Sequence, residues 1–186
     1  MTCIVGYETK NNVYIGGDSA GVSGSDITVR ADEKIFKNGE FIFGFTSSFR
    51  MGQILRYSFV PPKRKINITD DEYLYTDFID EVIKIFKKNG YAKVDSNQVE
   101  GGVFLFGYKN KLYYVGSDFQ IGKSTKEYES VGCGDNYALG ALYALEKTKL
   151  DIEQKIKVAL ETAEEFSTGV RRPFKLIDNL GIIKNI

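Results

Sequence analysis

Over the first quarter of the chain, apolar and polar residues alternate in short bursts. Thr2-Cys3-Ile4-Val5-Gly6-Tyr7-Glu8, a polar Lys10-Asn11-Asn12 turn and Val13-Tyr14-Ile15-Gly16-Gly17-Asp18 together read as a β-hairpin whose first strand carries Thr2. A second pair, Lys34-Ile35-Phe36-Lys37 and Phe41-Ile42-Phe43-Gly44-Phe45, turns at Asn38-Gly39, a two-residue hairpin signal, so Lys34 begins a strand. After Ser47-Ser48 the spacing becomes helical to about Tyr57, and Pro61-Pro62 interrupts it. Phe78, Ile79, Val82, Ile83 and Phe86 then recur at helical spacing, predicting a helix from about Asp71 to Lys88 that Asn89-Gly90 stops.

The alternation returns in Gly102 to Tyr108 and Lys111 to Ser117, a hairpin around Lys109-Asn110. Two further helices follow, about Tyr137 to Glu146 and Ile152 to Phe166. In the second, Ile152, Ile156, Ala159, Leu160 and Ala163 form one apolar stripe, which reads as packing. A short strand, Phe174 to Ile177, closes the core. This order predicts antiparallel sheets covered by helical layers, an α+β architecture in a single domain over residues 1–186, or 2–186 once Met1 is removed.

Composition changes this picture mainly by exclusion. The 186 residues, 42% hydrophobic and 27% charged, are ordinary for one globular domain. Basic and acidic residues balance at 25 each, so no global field recruits nucleic acid or an anionic membrane. The basic run Lys63-Arg64-Lys65 reads as a solvated loop. Two cysteines are too few for a disulfide framework. No apolar run reaches the roughly 20 residues of a membrane span, and no charged-then-apolar leader precedes Thr2, so the expectation is cytoplasmic. Gly116 to Gly122-Lys123-Ser124 imitates a phosphate loop, but five residues separate its glycines where the Walker pattern needs four.

The chain contains no histidine. That removes the Ser-His-Asp triad, the Cys-His pair, the H-E-x-x-H zinc site and the kinase catalytic loop, all of which need imidazole. A threonine at the chain start needs none. Removal of Met1 leaves Thr2 with a free α-amine whose ordinary pKa of about 8 suits a general base, beside a hydroxyl that can attack. Neither a cofactor nor a metal enters such chemistry.

Several separated stretches then fall into one register. Thr2-Cys3-Ile4-Val5-Gly6, Gly17-Asp18-Ser19, Lys34-Ile35-Phe36-Lys37 and Val131-Gly132-Cys133-Gly134-Asp135-Asn136-Tyr137-Ala138-Leu139 resemble the threonine peptidases of the proteasome β-subunit family, most nearly its HslV type. The order and most of the spacing hold over nearly the whole chain. The resemblance implies a four-layer αββα Ntn-hydrolase fold and hydrolysis of peptide bonds, with Thr2 as nucleophile. Lys34 matches the lysine kept beside that hydroxyl, where an ammonium lowers the pKa of amine and hydroxyl, and Asp18 matches the aspartate that orients it.

Register further assigns the oxyanion N–H to Ser48, where the family usually has glycine. Thr46, Gly21 and Arg50 fall where it lines the pocket for the residue before the cleaved bond; Arg50 there would favour acidic side chains, with a solvated helix residue as the plain alternative. Two departures follow. Cys133 replaces a serine that helps bind the terminal amine and a water, a thiol being a poorer donor and acceptor, although a small buried residue is the plain alternative. Where proteasome β-subunits carry Asp-x-x-Ser-Gly, this chain has Glu165-Phe166-Ser167-Thr168-Gly169, so Glu165 and Thr168 fit by register, with Glu164 and Ser167 the one-residue slip and a plain helix-surface residue the alternative for Glu165.

By the same resemblance the partners are peptide or unfolded-protein substrate, further copies in a closed ring, stacked as paired hexamers, and an ATPase unfoldase. Two other functions stay open on the sequence: an Ntn-fold assembly protein without activity, and an amidase acting on a small molecule.

Overall fold

The computed structural model describes residues 4–18, 20–23, 26–96, 98–124, 128–131, 150–158, 174–178, 181 and 183–185. The alternating start folds as anticipated into strands Ile4–Glu8 (β1) and Val13–Asp18 (β2), and a small separate hairpin follows, Ala20–Ser23 (β3) with Asp26–Val29 (β4). Ile35–Asn38 (β5) and Phe41–Phe45 (β6) form the next hairpin. Its turn differs from the expected one. Asn38 pairs with Phe41, so the two loop residues are Gly39 and Glu40, and Gly39 takes φ +60° at the first loop position as a type II′ turn requires.

Helix Phe49–Tyr57 (α1) is capped by Ser48, and Met51, Ile54 and Leu55 form its buried face. Thr69 caps the next helix by accepting from the Glu72 N–H at 3.1 Å, with Asp70, Asp71 and Glu72 in the first turn. That helix runs as Asp70–Tyr73 (α2), a π-helical turn over Leu74–Phe78 and Ile79–Lys88 (α3). The anticipated stripe is buried at Phe78, Ile79, Val82 and Phe86, with Ile83 half-buried. The π turn was not legible in the spacing. Between α1 and α2 the basic run is exposed as anticipated, with Arg64 on Asp70 at 3.4 Å and Lys65 on Asp77 at 3.0 Å.

The remaining described elements are Lys93–Asp95 (β7), Gln98–Glu100 (β8), Phe104–Tyr108 (β9), Lys111–Val115 (β10), Ile121–Lys123 (β11), Tyr128–Val131 (β12), a helix beginning at 152, Phe174–Asp178 (β13) and Ile183–Asn185 (β14). The expected helix over 137–146, and the fourth beyond residue 158, lie outside the described residues. Lys123 of the false phosphate loop ends a strand, and the next described element is another strand.

Among the described residues two five-stranded antiparallel sheets form, in the orders β12-β1-β2-β13-β14 and β11-β10-β9-β6-β5. Ile4, Val13 and Ile15 of the first meet Ile35, Ile42, Leu105 and Leu112 of the second in a dry interlayer. On the other face of the second sheet, Phe36, Phe41, Phe43, Phe104 and Phe106 pack against α1, the π turn and α3. Phe41 stacks between Phe78 at 4.8 Å and Tyr108 at 4.6 Å.

Gly44 sets how closely the sheets approach. A Cβ there would stand 2.5 Å from Ile4 Cγ2 and 2.6 Å from Ile15 Cγ2, two fully buried side chains that cannot withdraw. Gly44→Ala is therefore expected to destabilise the fold by about 1–3 kcal/mol through overpacking, read as a lower urea midpoint at unchanged slope.

Candidate active site

β2 delivers Asp18 at its last position, and Lys34 stands one residue before β5 on the facing sheet. Lys34 Nζ donates to Asp18 Oδ1 at 2.7 Å. The lysine carbonyl accepts the Phe45 N–H at 3.1 Å, which extends the β5–β6 ladder by one bond and fixes the lysine backbone although its strand begins at Ile35. Among the described residues the buried polar or charged side chains are Asp18, Lys34 and Thr46, with 6%, 2% and 8% exposure. All three were singled out from the sequence. A lysine ammonium inside a protein must be paired, and here a carboxylate takes it.

The ladder bond to Phe45 brings the next loop to the same end of the sheets. Thr46 donates through both its N–H and its Oγ1 to the Val103 carbonyl, each at 3.2 Å, so its hydroxyl is turned toward backbone. Ser47 follows with φ +58°. The Ser48 N–H, expected to serve an oxyanion, donates to the Thr46 carbonyl at 2.6 Å, and Ser48 Oγ accepts the Arg50 N–H at 3.1 Å as the helix cap. Burial pushes the Tyr91 hydroxyl up in pKa, partly countered by hydrogen bonding with Ser48.

Arg50 is exposed in the first turn of α1, a helix without an acidic residue there, so its cation opposes the helix dipole. Gly21 lies in β3 opposite Thr28, three residues beyond Asp18. Thr2, Cys133, Glu165 and Thr168 lie outside the described residues.

Two residues that were not anticipated join the site. The Phe49 ring faces the Lys34 ammonium at 5.6 Å, and the Arg30 guanidinium covers the same ring at 3.9 Å. Arg30 is itself held by Asp32 through two bonds of 2.7 Å, which raise the arginine pKa and lower that of the aspartate. Nothing in the local sequence marks an aromatic contacted by two cations, because the three residues come from separate segments.

No family model and no curated protein matches the sequence. Solved structures do. The bacterial proteasome homologue BPH of Thiobacillus denitrificans, in a complex with epoxomicin, aligns at TM-score 0.76 and 19% identity over 95% of this chain and 97% of that one. The chain has a proteasome-like Ntn-hydrolase fold. Other solved structures share this fold. Eukaryotic HslV from Trypanosoma brucei gives TM-score 0.68 at 14% identity over 95% of this chain and 98% of that one. Anbu from Pseudomonas aeruginosa, solved as a helical assembly, gives 0.65 at 12% over 100% and 86%. In this proteasome-like frame the Lys34–Asp18 pair bridges the two sheets at one end of the sandwich.

Proposed function

We propose that the chain is a threonine-type endopeptidase subunit that hydrolyses peptide bonds with Thr2 as nucleophile. The observation that carries the reading is the buried Lys34–Asp18 ion pair. A desolvated pair contributes little net stability, so stability alone does not account for keeping it. Ile4, at the start of β1, pairs with Gly17, the neighbour of Asp18. Covalent connectivity keeps the Thr2 Cα within about 7 Å of the Ile4 Cα, so the chain start is in reach of the pair.

In the proposed reaction the Thr2 hydroxyl adds to the scissile carbonyl while its proton passes to the Thr2 amine. The Lys34 ammonium favours the neutral amine and stabilises negative charge developing on the Thr2 oxygen, as a nearby cation does. Collapse of the tetrahedral intermediate breaks the C–N bond, and the proton returns to the leaving amine. Water then cleaves the threonine ester and regenerates Thr2. Glu165, Thr168 and Cys133 are assigned to the surroundings of the amine, and Gly21, Thr46 and Arg50 to the substrate pocket, with Arg50 favouring acidic side chains. No cofactor takes part.

Closed homo-oligomeric rings, stacked as paired hexamers in the cytoplasm, would confine such a peptidase to unfolded chains, and an ATPase unfoldase would feed it. Among the described residues no helix is long and apolar enough to cross a membrane.

The test combines N-terminal sequencing with intact mass after exposure to epoxomicin, which reacts with hydroxyl and amine together. Loss of Met1 and one adduct per chain are expected. A chain that lacks Met1 and stays unlabelled sinks the reading. One observation favours an inactive assembly protein of the same fold: the Ser48 N–H is already bonded to Thr46. The same mass measurement decides between the two.

A further inference from the structure

We propose that Ser47 is a positioning residue that holds the oxyanion donor shut in the resting chain, a step that rests on the peptidase reading above. The Ser48 N–H closes a three-residue turn onto the Thr46 carbonyl at 2.6 Å, around a serine with φ +58°. Three-residue turns with positive φ are rare and strained for any residue carrying a side chain. Such a turn persists only where its surroundings hold it.

Here they do so from one place. Ser47 Oγ accepts the Val103 N–H at 3.1 Å, and Thr46 donates twice to the Val103 carbonyl at 3.2 Å. The first two residues of the turn are thereby strapped to the backbone just ahead of β9. Downstream, Ser48 Oγ caps α1, and upstream Phe45 is bonded to Lys34. The unit left to move is the peptide between Ser47 and Ser48.

A backbone N–H is a single donor, and hydrogen bonds weaken steeply away from linearity. While the Ser48 N–H points at Thr46, it does not serve an alkoxide forming on the substrate. Rotation of the 47–48 peptide releases it without displacing α1 or the β5–β6 hairpin. Ser47 therefore governs the donor without touching substrate. The same turn that favours an inactive scaffold becomes, in this reading, the closed state of a latent enzyme.

The experiment compares wild type, Ser47→Ala and Ser47→Asn in the full assembled chain, reading two quantities: hydrogen exchange at the Ser48 amide and the second-order rate of epoxomicin capture. Alanine removes the acceptor for Val103 and disfavours positive φ, so faster Ser48 exchange and capture about fivefold faster are expected, equivalent to about 1 kcal/mol. Asparagine keeps an acceptor oxygen and enters the left-handed region more readily. It should slow exchange and capture at or below the wild-type rate. An unprotected Ser48 amide in wild type, or exchange moving the same way in both variants, overturns the inference. Capture at one common rate in all three chains rejects the Ser47 role alone. No capture in any chain rejects the peptidase reading and the oxyanion role together.

Discussion

Thr2→Ala should lose peptide hydrolysis and epoxomicin capture by at least about a thousandfold, the scale on which removal of an attacking hydroxyl acts, while urea unfolding still gives a single cooperative transition of the assembled chain. Alanine at position 2 leaves a free amine after Met1 removal, so the variant isolates the hydroxyl. Thr2→Ser is the companion, because it keeps the hydroxyl and should retain hydrolysis. Retention of full activity by the alanine chain would move the chemistry away from the chain start and leave the Lys34–Asp18 pair without a catalytic role.

Breaking that pair should produce the largest loss of stability among single changes in the site. Lys34→Met leaves the Asp18 carboxylate buried and without its ammonium partner, a situation that costs about 3–5 kcal/mol. Urea unfolding at one fixed protein concentration measures it, since assembly makes apparent stability depend on concentration. The double variant Asp18→Leu/Lys34→Met removes both charges and should recover much of the loss, because apolar replacements of a buried pair are often neutral. It should remain unreactive toward epoxomicin. Stability recovered without reactivity separates the structural from the chemical use of the lysine. If Lys34→Met is as stable as wild type, the ammonium is not what neutralises Asp18, and the charge arrangement proposed for Thr2 fails with it.

Local signals led to much of this molecule. The β1–β2, β5–β6 and β9–β10 hairpins were legible because strand alternation and short polar turns are both short-range, and α1 and α3 because an apolar face repeating at helical spacing is. Even so, the β5–β6 turn slipped by one residue. Asn38-Gly39 is a strong turn pair, but the ladder places Asn38 opposite Phe41, and its side chain bonds the carbonyls of Leu55 and Phe59 instead. The strands that went unseen are three or four residues long. Among them, β11, β12 and β14 lie at sheet edges, while β7 and β8 are mostly exposed, so alternation has little to register.

The sequence by itself determined which chemistry was possible. A chain with no histidine and a threonine behind Met1 admits an N-terminal nucleophile, and the register of Asp18, Lys34 and Thr46 was visible through the family resemblance. What only the tertiary structure decided is how these residues meet. That Lys34 and Asp18 touch at 2.7 Å away from water follows from two sheets packed face to face. That Phe49 meets both Arg30 and Lys34, and that the Ser48 N–H is bonded back to Thr46, follows from segments distant in the chain converging at one end of that sandwich. Periodicity reports which face of a strand is apolar, whereas the direction of a single N–H depends on every neighbour that competes for it.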